Sequence, residues 1–329
     1  MLTLHRKYKI SCIVFFLSLS LNLPRHAYSL ACSISNISTL NFGHIMPLTN
    51  NVATTSLTFN YSCTKETLET LVGATLCLNI GISSVSGQIT SRQMLPVGLN
   101  SPINYQLYQN ANHSLIWGSQ HISGSSPIMI KLSLNQGLTP ATGSVTIYAQ
   151  LSVNQSSVIP ATYIDTYTSL TATSTLNLGI LSTPNSCGSI VGPSFPFVVT
   201  ATITDQCLVS SNGDINIGSV QSSTNNVAAS GHISVTCTNT TPFSIGLLPS
   251  NNNLQGSGVL QSISTTEKIP YQLSSTPGLN GATWGNNPLN LITDIGSGIT
   301  KDYPVYVTVP STNYPPGSYS DTVTINVTY

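Results

Sequence analysis

The chain has 329 residues, nine of them Lys or Arg and nine Asp or Glu, so only 5% are charged and the formal net charge is zero. Soluble domains average about 25% charged residues. With 40% hydrophobic residues this is not a disordered composition. So few cations exclude a nucleic-acid binder, which needs clustered Lys and Arg to neutralise phosphates. So few ionisable groups argue against an enzyme.

Met1 to Ser29 reads as a secretory signal peptide. His5, Arg6, Lys7 and Lys9 form its basic start, and Ile10 to about Leu23 its apolar stretch. At about 14 residues this stretch is short for a membrane span, which needs roughly 20. Ala27-Tyr28-Ser29 places small residues for cleavage after Ser29, and Ser29 with Ala31 allows cleavage after Ala31. The mature chain then carries five basic and nine acidic residues, a net charge of −4. It keeps six cysteines, Cys32, Cys63, Cys77, Cys187, Cys207 and Cys237. An even count in an exported chain suggests disulfides, and none of the spacings is that of a zinc site.

The remainder is duplicated. Cys32, Asn41-Phe42-Gly43 and Phe59-Asn60-Tyr61-Ser62-Cys63 recur as Cys207, Asn216-Ile217-Gly218 and Ile233-Ser234-Val235-Thr236-Cys237. Tyr105-Gln106-Leu107 recurs as Tyr271-Gln272-Leu273, Trp117-Gly118 as Trp284-Gly285, and Tyr163-Ile164-Asp165-Thr166 as Tyr319-Ser320-Asp321-Thr322. The Gly-, Pro- and Ser-rich stretch from Gly179 to Pro196 separates the copies, giving domains at 30–184 and 185–329. Leu57, Phe59 and Tyr61, then Val145, Ile147 and Ala149, Val305, Val307 and Val309, and Val323, Ile325, Val327 and Tyr329 alternate with polar residues. This period of two predicts half-buried strands and an all-β pair of sandwiches. Lys65 to Val72 alone has helical spacing and predicts a helical turn in a loop. Phe195, Phe197, Val199 and Ala201 alternate ahead of Cys207 and are read as the first strand of domain 2, rather than as a strand completing domain 1.

These markers resemble the spore coat protein U domain family: an early Cys, Asn-x-Phe-Gly, a strand ending in Cys, Tyr-x-Leu, Trp-Gly, and a last strand of the form Gly317-Ser318-Tyr319-Ser320-Asp321-Thr322 ending at Tyr329. Both halves match. In the first, Pro160-Ala161-Thr162 stands where Pro-Gly-Ser is expected. The resemblance implies two tandem immunoglobulin-like β-sandwiches, the C-terminal one incomplete and completed by a neighbour's strand. It implies a subunit of an archaic chaperone–usher pilus, and the two-domain form implies the tip adhesin. The implied partners are a periplasmic chaperone, an outer-membrane usher, an adjacent pilin that donates a strand, and a hydrophobic or host surface, with no cofactor. A non-adhesive structural pilus or surface-coat subunit is the alternative.

The residues support this reading. The chain ends at its Val323–Tyr329 strand, leaving Val323, Ile325, Val327 and Tyr329 as an uncharged acceptor edge; an uncovered apolar edge is an aggregation hazard unless another strand pairs with it. At most Leu30 and Ala31 precede Cys32, so the chain is expected to accept a strand but not to donate one from its N-terminus. Cys32–Cys63 encloses 30 residues and Cys207–Cys237 encloses 29, which suggests the same staple twice and leaves Cys77 for Cys187. Trp117 and Trp284 are read as core markers, Asp165 and Asp321 as turn hydrogen-bonders.

Domain 1 also has additions. Against domain 2 it gains nine residues after its second strand, nine between Trp117 and Tyr148, and two between Tyr148 and Tyr163. Read as the B–C, D–E and F–G loops, these would share the pole facing away from domain 2. They carry Leu68, Leu71 and Val72, then Leu115 and Ile116, then Val158 and Ile159, which are expected to form apolar fingers for surface attachment.

Overall fold

The computed structural model describes residues 29–49, 52–66, 70–134, 139–152, 155 and 157–329. Most of the signal segment, Met1–Tyr28, and Leu68 lie outside the described residues. The chain is almost wholly β. The first sandwich holds β1 (Leu30–Ser35), β2 (Leu40–Ile45), β3 (Thr54–Lys65), β4 (Gly73–Ile80), β5 (Arg92–Pro96), β6 (Ile103–Tyr108), β7 (Ile128–Ser133), β8 (Ala141–Leu151), β9 (Ala161–Tyr167), β10 (Ala172–Gly179), β11 (Ile190–Val191) and β12 (Phe197–Ile203). The second holds β13 (Cys207–Ser211), β14 (Asn225–Cys237), β15 (Pro242–Pro249), β16 (Ser257–Gln261), β17 (Lys268–Ser274), β18 (Ile292–Ile295), β19 (Lys301–Ser311) and β20 (Val323–Thr328).

In the first sandwich a sheet of order β1-β3-β8-β6-β5-β9-β12-β2 faces one of order β11-β10-β4-β7. The second repeats the plan with β13-β14-β19-β17-β16 facing β18-β15-β20. The alternation of the sequence becomes the two faces of each strand. In β3, Leu57, Phe59 and Cys63 point into the core while Thr58 and Asn60 point out. Central β4 is buried at every position.

The repeated Asn-x-Gly has a backbone cause. Gly43 and Gly218 adopt φ of 74° and 77°, the left-handed region that glycine enters without strain. Each amide donates to the Asn two residues earlier, at 2.8 Å, closing an Asx turn. Lys65, by contrast, ends β3, and among the described residues of 65–72 there is no helical turn. The spacing of Leu71 and Val72 reflects one inward and one outward side chain before β4.

The segment before Cys207 does not open the second sandwich. β12 lies antiparallel to β9 from Phe197↔Tyr167 to Ile203↔Ala161, and parallel to β2 on its other side. Phe195, Phe197, Val199, Ala201 and Ile203 are buried in the first core. Phe195 and Phe197 lie parallel to Trp117, with centroids 5.9 and 6.1 Å away. Burying an apolar side chain of this size is worth roughly 1.5–3 kcal/mol, which settles the strand where an aromatic slot awaits it. Upstream the same run of chain follows β10: β11 pairs with Thr175 and Leu176, and the Phe195 amide donates to Ala172 O. The change of sandwich therefore falls at Thr204–Gln206, not at 184/185.

Those three linking residues bond to both sides. The Thr204 amide donates to Ile45 O. Leu48 N donates to Gln206 Oε1 at 3.1 Å. Thr238 donates to Gln206 O through both its amide and its hydroxyl.

Candidate functional site

Each repeat marker turns out to be half of a contact. Trp117 Nε1 donates to Leu78 O and Trp284 Nε1 to Ile245 O, each at 2.9 Å, with both indoles fully buried. Tyr105 OH donates to Asp165 Oδ2 and Tyr271 OH to Asp321 Oδ2, each at 2.6 Å. Ser84 and Ser250 hydroxyls donate to the other oxygens of the same carboxylates. Asp165, buried inside β9, is thus a core acceptor rather than a turn residue, whereas Asp321 lies just before β20, half-exposed, and also accepts from the Thr322 amide. Burial pushes the Tyr105 hydroxyl well above its ordinary pKa, and the neighbouring Tyr167 and Asp165 push it further. Burial does the same to Tyr271, reinforced by its bond to Asp321.

The two sandwiches differ in what covers this contact. In the first, β12 and its approach lie over β9 and β10, and Tyr163, Asp165, Tyr167, Ala172 and Leu176 are buried. In the second, β20 pairs with β15 and ends its sheet. Among the described residues nothing corresponds to β11 or β12. Tyr319 and Asp321, which match Tyr163 and Asp165 of the β9 strand that β12 flanks, are only half-buried, as are Val323, Ile325 and Val327 of β20, the counterpart of β10, and Tyr329 is exposed. Among the described residues β20 has no partner strand on its side away from β15.

At the far end of the first sandwich three connections meet. Val72 N donates to Gly179 O and Leu134 N to Val72 O, each at 3.0 Å, so Val72, Leu134 and Gly179 come together at that end. Matching the tryptophan acceptors, Leu78 with Ile245, makes the addition after the second strand seven residues rather than nine. Val72 is 45% exposed, whereas Leu71 is 1% exposed and faces the core.

The other predicted fingers lie elsewhere. Val158 is 2% exposed and Ile159 half-buried. Their loop is at the opposite end, where Ser157 O accepts a bond from Asn239 of the second sandwich. The polar alternation of loops holds, but the loop before β9 comes one strand earlier than a seven-strand count implies. The corresponding distal connection is the one after β10, whose Ile180 and Leu181 are exposed, Leu181 at 95%. No sequence signal marked that pair, because they sit in the stretch read as a domain boundary. Leu115 is exposed and Ile116 half-buried; they lie along the flank, where Ile116 bridges Tyr108 and the His113 ring packs on Tyr108 and Tyr148.

Among the described residues three disulfides are formed, Cys32–Cys63, Cys77–Cys187 and Cys207–Cys237. The first and last join facing residues of adjacent strands. Cys77–Cys187 joins β4 to the segment that leads into β12 and has no counterpart in the second sandwich.

The sequence profile of the Spore Coat Protein U domain matches residues 20–169 and 194–326. Its second match takes in β12, which the structure builds into the first sandwich. No curated protein matches. Among solved structures the chain is similar to one in the CsuC–CsuE chaperone–tip adhesion subunit pre-assembly complex from archaic chaperone–usher Csu pili of Acinetobacter baumannii. The identity is 17% and the TM-score 0.52, covering 91% of this chain and 100% of that one. CfaE, the adhesive subunit of CFA/I fimbria of enterotoxigenic Escherichia coli, is matched at 11% identity and a TM-score of 0.34, over 90% and 93% of the two chains. At these identities the first likeness speaks to the fold and the second carries no argument.

Proposed function

Because the chain belongs to the spore coat protein U domain family, we propose that it is an exported subunit of an archaic chaperone–usher pilus and stands at the pilus tip. One observation carries this reading: the first sandwich is closed by its own β12, whereas the second lacks the equivalent strand among the described residues and leaves Val323, Ile325 and Val327 half-covered. A molecule closed at one end and open at the other suits the terminus of a fibre built by strand donation. A periplasmic chaperone would hold the open edge first, and an adjacent subunit would replace it at an outer-membrane usher. Met1–Ser29 would direct export.

The first sandwich then faces outward. Its distal end presents Val72, Ile180 and Leu181, the sequence before Val72 carries Glu66 and Glu69 and that from Ile180 to Ser189 no charge, and attachment to a hydrophobic or host surface is the role that suits the exposed apolar residues. Each apolar side chain contributes at most about 1.5–3 kcal/mol, so firm attachment needs many pili acting together.

Two measurements test the reading. Co-expression with a pilus chaperone should yield stable protein, and expression alone should not; equal yields would contradict an unfilled strand position. Replacing Val72, Ile180 and Leu181 together by Thr should lower attachment to polystyrene by on the order of tenfold while pili still assemble. Unchanged attachment would overturn the apolar-end mechanism. Immunogold label along the whole fibre, rather than once at its end, would favour a structural subunit instead.

A further inference from the structure

Among the features of the first sandwich without a counterpart in the second are the residues added to the sequence before β4 and the Cys77–Cys187 disulfide. They are joined through β4, which begins at Gly73 and carries Cys77. On the other side of the disulfide the chain runs from Cys187 through β12 to the link Thr204–Gln206, which is bonded to the second sandwich. Among the described residues β12 is the only covalent route between the sandwiches.

A pull between the distal end and the second sandwich loads β12 along its own axis. Its bonds to β9 and β2 are then strained together rather than one at a time. Should β12 slip, the disulfide sets how far the chain can pay out. From Val72 to Gln206 the backbone runs about 134 residue steps, and the bond bypasses a sequence separation of 110. The covalent path shrinks to about 24 steps, or about 80 Å fully extended against about 450 Å.

We propose that Cys77–Cys187 is a covalent leash: it joins Val72, through the start of β4, to the second sandwich by a short path, so that force that releases β12 does not draw out the stretch between the two cysteines. The inference rests on the reading of the first sandwich as the outward, force-receiving end, but its test does not require attachment to anything.

The full exported chain is pulled in an optical trap by azide-bearing residues at exposed Thr70 and Asp214. After mass mapping has verified the disulfide, extension should stop near about 115 Å. Reduction of the same protein, or a Cys77→Ser/Cys187→Ser variant, should allow about 490 Å. Cys32→Ser/Cys63→Ser should keep the short limit, because that bond is off the path. Native protein without the mapped Cys77–Cys187 bond, or equal extension before and after reduction, would overturn the proposal. The comparison before and after reduction uses wild type throughout, so it stands even if the variants fail to fold. Loss of attachment on Val72, Ile180 and Leu181 replacement reports on the tip reading separately.

Discussion

Asp165 and Asp321 occupy the same place in the repeat and make the same bond, yet they are not worth the same. Asp165 is buried and accepts from Tyr105, from the Ser84 hydroxyl and from the Ser84 amide. Removing it strands buried donors, and Asp165→Ala should cost the first sandwich about 2–4 kcal/mol. Asp321 is half-exposed, so water can replace it, and Asp321→Ala should cost about 1 kcal/mol; urea denaturation of each variant checks the difference. Asp294 offers a pH test. Bonds from Lys301, Tyr303 and the Ile295 amide hold its carboxyl down to about 2. A lowered carboxylate favours folding above the unfolded value of about 3.9 and loses that contribution as pH falls toward 2. The Tm of the second sandwich should therefore drop more steeply below pH 4 in wild type than in Asp294→Asn, and matching slopes would contradict the linkage.

At the scale of elements, β12 is the decisive strand. Phe197 stacks on Trp117 and Tyr167, the latter at 5.0 Å, and packs on Phe59. Phe197→Ala should destabilise the first sandwich by about 3–5 kcal/mol, read as an early transition in Trp117 fluorescence. Val227→Ala, at a half-buried position near the start of β14 on its core-facing side, should cost under about 1.5 kcal/mol. Strand existence was legible along most of the chain because alternation survives wherever one sheet face is buried. The partner of β12 was not legible. Alternating Phe, Val and Ala suit either sandwich, and only the aromatic walls contributed by Phe59, Trp117 and Tyr167 from three separate segments distinguish them.

For the whole molecule, Ser157 ahead of β9 and the Thr204–Gln206 link lie on the side of the first sandwich that meets the second, with Val72, Leu134 and Gly179 at the other end. A peptide with the sequence of residues 193–206, added in excess, should raise the Tm of the second sandwich if the unfilled position accepts an alternating apolar strand. A scrambled peptide should not, since only an in-register strand places its side chains on the Tyr319–Val327 face.

Composition, the twofold repeat, the two matched cysteine pairs, which left Cys77 for Cys187, and the even alternation were legible in the sequence alone, since they depend on residue type and on spacing along the chain. The roles of Asp165, Leu71 and Val158, the sandwich that owns β12, and the end at which each loop emerges were decided by tertiary structure. They depend on which strands become neighbours, and a strand's period of two says which face is apolar but not what lies against it.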